Sequence, residues 1–298
     1  MRLKVDNILP FLIHFLYELM LLPWDLPFYF CSQDIKPLPM NSKLSTKPLI
    51  SVILPIRNAD AYLAASIDSL LFQNYQNIEI IAIDDASIDG SLGILNAFKK
   101  EDKRLKVFKN VKKYDLAITL NRCLRKAKGK FIVFMDPKDT ITKNKFQKQL
   151  DFLLDNPKVV GVGTQCVYLN DEGKRVGKSN FPALHEDISQ KPIHGVSVLF
   201  EGIMVNKFKL PKDLLYFSPN KHLFLYSDMT LKLLQYGELA NLPEYLHFHH
   251  THTYYGSVAK NIKHLWSLGT LWMKSKFDYE TNPSIKTFFS TPFKPSAS

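Results

Sequence analysis

The sequence is short of the features that mark several protein classes. Three cysteines (Cys31, Cys123 and Cys166) lie far apart, which excludes a disulfide framework and CxxC metal spacing and fits reduced thiols in a cytosolic protein. Glycine-rich phosphate loops are missing: no GxGxxG follows a strand, Gly161-Val162-Gly163 lacks a third glycine, and there is no GxxxxGK[ST]. Neither a GxSxG elbow nor an HExxH pair is present, so dinucleotide oxidoreductases, P-loop enzymes, elbow hydrolases and zincins are set aside. No apolar run reaches the roughly 18–20 residues needed to span a bilayer. The most apolar stretch, residues 8–30, is interrupted by His14, Glu18, Pro23, Asp25 and Pro27, and no small-residue cleavage site follows it. An apolar fraction of 46% with 22% charged residues excludes disorder, collagen and coiled coil.

What is present is length and uneven charge. A chain of 298 residues can bury one large α/β core or two smaller ones. Residues 8–30 read as an arm that lies in a membrane interface or packs on its own protein, and residues 31–48 as a linker rich in Pro and Ser. The formal net charge is +11, and residues 99–148 alone hold 17 basic and 5 acidic groups. Such a field favours anionic partners: a nucleotide diphosphate, phospholipid head groups or nucleic acid. A solvated helix face is the plainer reading for Lys99–Lys113.

From Leu49 onward, strand and helix patterns alternate. Leu49–Leu54 and Ile78–Ile83 are apolar runs of buried-strand type, Leu105–Phe108 is a short strand and Lys130–Met135 another. Between them, Asp60–Phe72, Ser91–Lys100 and Ala117–Lys128 carry helical spacing, the last expected to end in a left-handed cap at Gly129. Alternation of this kind implies an open α/β fold, a mainly parallel sheet with helices on both faces and ligands at the carboxyl ends of the strands. Those ends carry Arg57, Asp84, Asp85, Asp136 and Asp139. Carboxylates so placed can hydrogen-bond a base or ribose, or hold a divalent ion against a diphosphate.

Three stretches in this order, Ser51–Asn58 (SVILPIRN), Ser66–Gln73 (SIDSLLFQ) and Ile83–Ser91 (IDDASIDGS), resemble the opening of the family 2 glycosyltransferases of GT-A fold. Lys128–Asp136 (KGKFIVFMD) continues the likeness, and His194–Ser197, Ser227–Leu231 and Asn241–Glu244 resemble the acceptor half of that family. The resemblance spans roughly residues 49–258. It implies a Rossmann-like GT-A domain with a nucleotide-sugar half (49–140) and an acceptor half (141–258), flanked by the arm and linker (1–48) and a C-terminal segment (259–298).

By the same resemblance, Pro55 and Arg57 border the nucleobase, and Asp85, with Asp84 beside it, hydrogen-bonds uracil or its equivalent. Taken alone, Asp84-Asp85-Ala86-Ser87 also reads as a strand-to-helix turn with a capping residue. Asp136-Pro137-Lys138-Asp139 matches the family's Asp-x-Asp-Asp segment, with Lys138 where the second Asp of the DxD should ligate Mn²⁺ or Mg²⁺. An ammonium has three donors and no acceptor, so it ligates no cation. Either Lys138 replaces the metal at the diphosphate, paired to Asp136, or donor-sugar catalysis has been lost. If a metal binds at all, Asp136 and Asp139 are its ligands; otherwise Asp139 caps the following helix or meets the ribose. Asp228 matches the catalytic base, with Ser227 in place of the Glu that usually precedes it, while an acidic residue opening a helix at Met229 is the structural alternative.

His247, His249, His250 and His252 do not form one tight site, because strand alternation separates His250 and His252 from His247 and His249. His252 alone is carried to the donor site, near the phosphates. Ala259–Phe277 reads as a basic amphipathic helix or one packed back on the sheet. The function expected is transfer of a sugar, hexosyl in type, from a nucleotide-diphospho-sugar (UDP-sugar first) to a glycan or lipid-linked acceptor in cell-surface polysaccharide synthesis. The transfer is expected to be inverting and, without QxxRW or a multi-helix membrane region, non-processive. A silent GT-A binding or scaffold domain is the alternative. Nucleic acid is not an expected partner, since no reader module accompanies the charge. The expected location is cytoplasmic, with peripheral contact on the inner face of the cell membrane as a further reading.

Overall fold

The computed structural model describes residues 47–219 and 224–250. The N-terminal arm and nearly all of its linker, His252, the amphipathic 259–277 segment and the tail lie outside the described residues. Four parallel strands build the first half: β1 (Ile50–Ile56), β2 (Ile78–Asp84), β3 (Leu105–Lys109) and β4 (Phe131–Phe134). A parallel strand covered on both faces is apolar along its length, and β1 and β2 are buried almost throughout. Ile50, Val52, Leu54 and Ile56 face one core with Leu63, Ile67 and Leu70 of α1 (Asp60–Leu71) and Leu95 of α2 (Ser91–Glu101). Ile53, Ile81 and Ile83 face the other, against Ala117, Leu120 and Cys123 of α3 (Leu116–Lys126). Period-two alternation thus places helices on both faces.

Gly129 differs from expectation. It is not among the glycines with positive φ, and α3 ends at Lys126 with Ala127 extended. Its lack of a side chain serves a close approach instead: a Cβ there would lie 2.6 Å from Ser51 Oγ and 2.7 Å from Ser51 N.

The second half changes direction. It comprises β5 (Thr140–Ile141), α4 (Lys145–Asp155), β6 (Val159–Leu169), β7 (Arg175–Lys178), α5 (His185–Gln190), β8 (Met204–Asn206), α6 (Leu225–Leu234) and β9 (Glu238–His250). The sheet runs β3-β2-β1-β4-β8-β6-β9-β5, with β7 on β6. β8 is antiparallel to β4 and β6, whereas β6 and β9 run parallel. β5 pairs antiparallel with β9, matching Ile141 to His247. That pairing lays the turn after β4 beside the histidines of β9. Helix α6 starts at Leu225 rather than Met229, so Asp228 sits within its first turn instead of ahead of it. Among the described residues no helix is long and apolar enough to cross a membrane.

Candidate active site

The loops after β1 and β2 are tied to each other. Arg57 Nη1 donates to the carbonyl oxygens of Asp85 at 2.7 Å and Ala86 at 3.3 Å. Asn58 and Ala86 adopt φ of 48° and 52°, a left-handed conformation that a non-glycine residue holds only when its surroundings impose it. Pro55 lies within β1, just before this turn. Asp84 is fully buried, and its carboxylate faces Ser87 N at 3.4 Å.

Asp85 stands at its strand end, as the sequence pattern places it, but is only 5% exposed. The segment after β3 folds over it, so that Asn110 Nδ2 and the Tyr114 backbone N–H, the latter at 3.0 Å, donate to its carboxylate. Arg122 in turn donates to Asn110 Oδ1. The basic stretch is likewise less concentrated than its sequence implies. Arg104 pairs with Asp102, Lys106 with Glu79 at the strand starts and Lys148 with Glu244, while Lys126 lies 4.0 Å from the Phe108 ring centre.

After β4, Asp136 Oδ1 accepts from the Lys138 backbone N–H at 2.8 Å, which closes a local turn. The Lys138 ammonium sits 5.6 Å from the Tyr62 ring centre, and Tyr62 packs on His250 at 4.7 Å. Enclosure of the Asp136 carboxyl, and then the charge of Asp139, pushes it up to about 6. Asp139 neither caps α4 nor faces outward. It is fully buried and accepts from His247 Nε2 and His249 Nδ1, each at 2.7 Å, and from His250 N at 2.9 Å. Burial alone would raise Asp139, but His249 and these hydrogen bonds hold it well below the usual carboxylate range.

The network continues inward. His247 Nδ1 meets Lys145 Nζ at 2.8 Å, and burial lowers that lysine to about 7. Burial and then Lys145 hold His247 down to about 4, so it is the neutral link. Burial also opposes a charged His249, yet Asp139 overrides it and lifts His249 to about 9.

On α6, Asp228 is 2% exposed and its Oδ2 lies 3.2 Å from Lys232 Nζ. Beside it, Ser227 Oγ accepts from the His194 backbone N–H at 3.0 Å. His194 Nδ1 accepts from Phe200 N at 3.1 Å, and its Nε2 lies 3.2 Å from Glu201 Oε2. Burial pushes Glu201 up to about 8 and His194 down to about 3.

The fold therefore joins Arg57 to Asp85, Asp136 to Asp139, and Asp228 through Ser227 and His194 to Glu201. Sequence reasoning did not single out Lys145, His194, Glu201, His247 or His249 as site residues. Strand alternation had placed His247 and His249 on one face, but nothing in the sequence showed that β5 would carry Asp139 to that face.

A divalent ion at the DxD position fits this donor set poorly. Lys138 offers only donors, and the oxygens of Asp139 are already taken by three N–H groups. Asp139, His247 and His249 do bring three candidate ligand atoms within 4.8 Å of one another, so the described residues contain one group that could hold a metal. As built, its members hydrogen-bond one another.

Fold and strand-end site together define a GT-A-type glycosyltransferase domain. The sequence profile described as "Glycosyl transferase family 2" matches residues 51–215, and the chain belongs to that family. TuaG of Bacillus subtilis, named for teichuronic acid biosynthesis, is 37% identical over 109 residues, covering 37% of this chain and 43% of that protein. The chain spans about half the length of the first curated relatives it matches. Among solved structures, S. aureus TarS 1–349 in complex with UDP-GlcNAc is similar with a TM-score of 0.62 at 17% identity, covering 78% of this chain and 68% of that one. Mannosyltransferase PcManGT from Pyrobaculum calidifontis, in complex with GDP-Man and Mn²⁺, gives 0.57 at 18% identity, covering 94% and 74%.

Proposed function

We propose that this chain transfers a sugar from a nucleotide-diphospho-sugar, a UDP-sugar first, to a hydroxyl of a glycan or lipid-linked acceptor, one sugar at a time and with inversion. The observation that supports this reading is that Arg57, Asp85 and Asp136 follow the adjacent parallel strands β1, β2 and β4, with Arg57 tied to Asp85. Pro55, Arg57, Asp84 and Asp85 bound the nucleoside, and Asp136 faces the diphosphate region. Asp228 takes the proton of the acceptor hydroxyl. The freed oxygen attacks the anomeric carbon, whose bond to the diphosphate breaks with its electron pair passing to the phosphate oxygen. Lys138 offsets part of the charge that develops there, a task its relatives give to a metal. The teichuronic acid in the name of TuaG and the UDP-GlcNAc bound to TarS support a cell-surface polysaccharide and a UDP-sugar donor. In this reading the protein works in the cytoplasm, with peripheral contact at the inner membrane face. Residues 49–258 form the catalytic domain in this reading.

A second reading, a silent binding domain, is favoured by Lys138 and by the Lys232 pairing of Asp228. Thermal-shift screening against UDP- and GDP-sugars, followed by turnover with and without EDTA, separates the two. A sugar nucleotide at 100 times its Kd is expected to add about 2.7 kcal/mol of stability. Turnover is expected to survive EDTA largely intact, and Lys138→Asp to respond to Mn²⁺. Complete loss in EDTA with full recovery on Mn²⁺ would refute the metal-sparing role of Lys138. Binding without any turnover would leave the scaffold reading standing.

A further inference from the structure

Glu201 has no part in the steps above, yet its setting is unusual. It sits in the turn before β8, immediately ahead of Gly202. That glycine has φ of +145°, and a Cβ on it would lie 2.8 Å from His247 Nδ1 and 2.9 Å from Lys145 Nζ. No other residue fits there without displacing the buried network, so the turn that carries Glu201 is fixed. The residue is 7% exposed, and Oε2 has no hydrogen-bond partner although His194 Nε2 lies 3.2 Å away. An enclosed carboxyl oxygen left without a partner is costly, and native interiors rarely keep one without a reason.

His194 is held just as firmly. Its Nδ1 accepts from Phe200 N, its backbone N–H is bound by Ser227 Oγ, and its ring packs on Tyr226 at 5.1 Å. With Nδ1 accepting, the proton of the neutral ring is on Nε2. The two side chains therefore present an acceptor and a donor side by side, each with about a tenth of its surface open. The Glu201 carboxyl lies within electrostatic reach of Asp136, Asp139 and His249, and the His194 backbone is tied to Ser227 on the helix of Asp228.

We propose that Glu201 and His194 form a subsite for a sugar hydroxyl, which donates to Glu201 Oε2 and accepts from His194 Nε2–H. A hydroxyl is the common group that does both at once. It can belong to the sugar being transferred or to the acceptor, and the inference rests on the transferase reading above. The test uses the full chain with UDP, UDP-GlcNAc, UDP-glucose and UDP-galactose by calorimetry, and methyl hexosides as acceptors in turnover. Glu201→Gln is expected to leave the Kd of UDP within twofold. If the donor sugar is gripped, the Kd of the preferred UDP-sugar rises at least tenfold. If the acceptor is gripped, that Kd holds and the KM of the methyl hexoside rises at least tenfold. Glu201→Asp, which keeps the carboxyl group but shortens its reach, is expected to show a smaller rise in the same constant, and it serves alone if the Gln variant does not fold. A wild type that turns over beside a variant with unchanged constants, or with UDP and UDP-sugar weakened equally, overturns the subsite. A wild type that binds no sugar nucleotide overturns the transferase reading and the subsite with it.

Discussion

Two buried carboxylates of the domain, Glu79 and Asp139, are used differently. In the nucleotide half Glu79 lies at the start of β2, where Ser51, Lys106 and the Lys128 backbone N–H donate to it. It fastens the strand starts, away from the ligand end. Where the chain passes into the acceptor half, Asp139 lies at the ligand end and holds together His247, His249 and the His250 backbone N–H of that half, with Lys145 behind them. The first half is held by continuous apolar strands with a polar clamp at their starts; the second has a polar network at its centre. A polar network of that depth is rigid when complete and costly when broken, so the acceptor half should be the more sensitive of the two.

The largest effect tests what that rigidity serves. Asp228→Asn should lower turnover by about 10²–10⁴ while sugar-nucleotide binding persists; near-normal turnover with chemistry rate-limiting would move the base elsewhere. Next, Asp139→Asn should cost about 3–5 kcal/mol by denaturant unfolding, since it leaves a charged His249 buried without its partner. A loss below 1 kcal/mol would remove the contrast between the halves. Asp85→Ala follows, with sugar-nucleotide affinity lower by roughly 1.5–3 kcal/mol. Because Asn110 and Tyr114 N lose their acceptor, stability should fall as well, which an exposed Asp85 would not have caused.

The smallest effect is read in pH. Glu79 and Asp139 both ionise at lower pH folded than unfolded. Their stabilisation is therefore complete above the ordinary carboxylate range and is lost as pH falls toward the folded values. Glu79→Gln should flatten this acid limb by about 1 kcal/mol. His249 has the opposite sign. Raised from 6.5 to about 9, it stabilises fully below its ordinary value, and that contribution disappears as pH rises through about 9. Unfolding measured from pH 6 to 10 should show this alkaline limb in the wild type and in Glu79→Gln, and should show it flattened in Asp139→Asn.

The amino-acid order by itself determined the parallel half. Runs such as Leu49–Leu54 and Ile78–Ile83 are short and wholly apolar, the helices between them have one buried face, and the strand ends display Arg57, Asp85 and Asp136. These are local signals, and local periodicity is what a sequence states directly. That Lys138 stands where a carboxylate would bind metal is an expectation of the family resemblance, not of this local periodicity. Only the tertiary structure decided the rest. Pairing of Ile141 with His247 brings Asp139 to residues more than a hundred positions away, and the turn at Gly202 sets Glu201 against His194. Neither contact leaves a periodic trace, because both depend on strand register and backbone approach across distant segments. The same holds for Gly129, whose place against Ser51 is set by the packing of β1 rather than by the helix that precedes it.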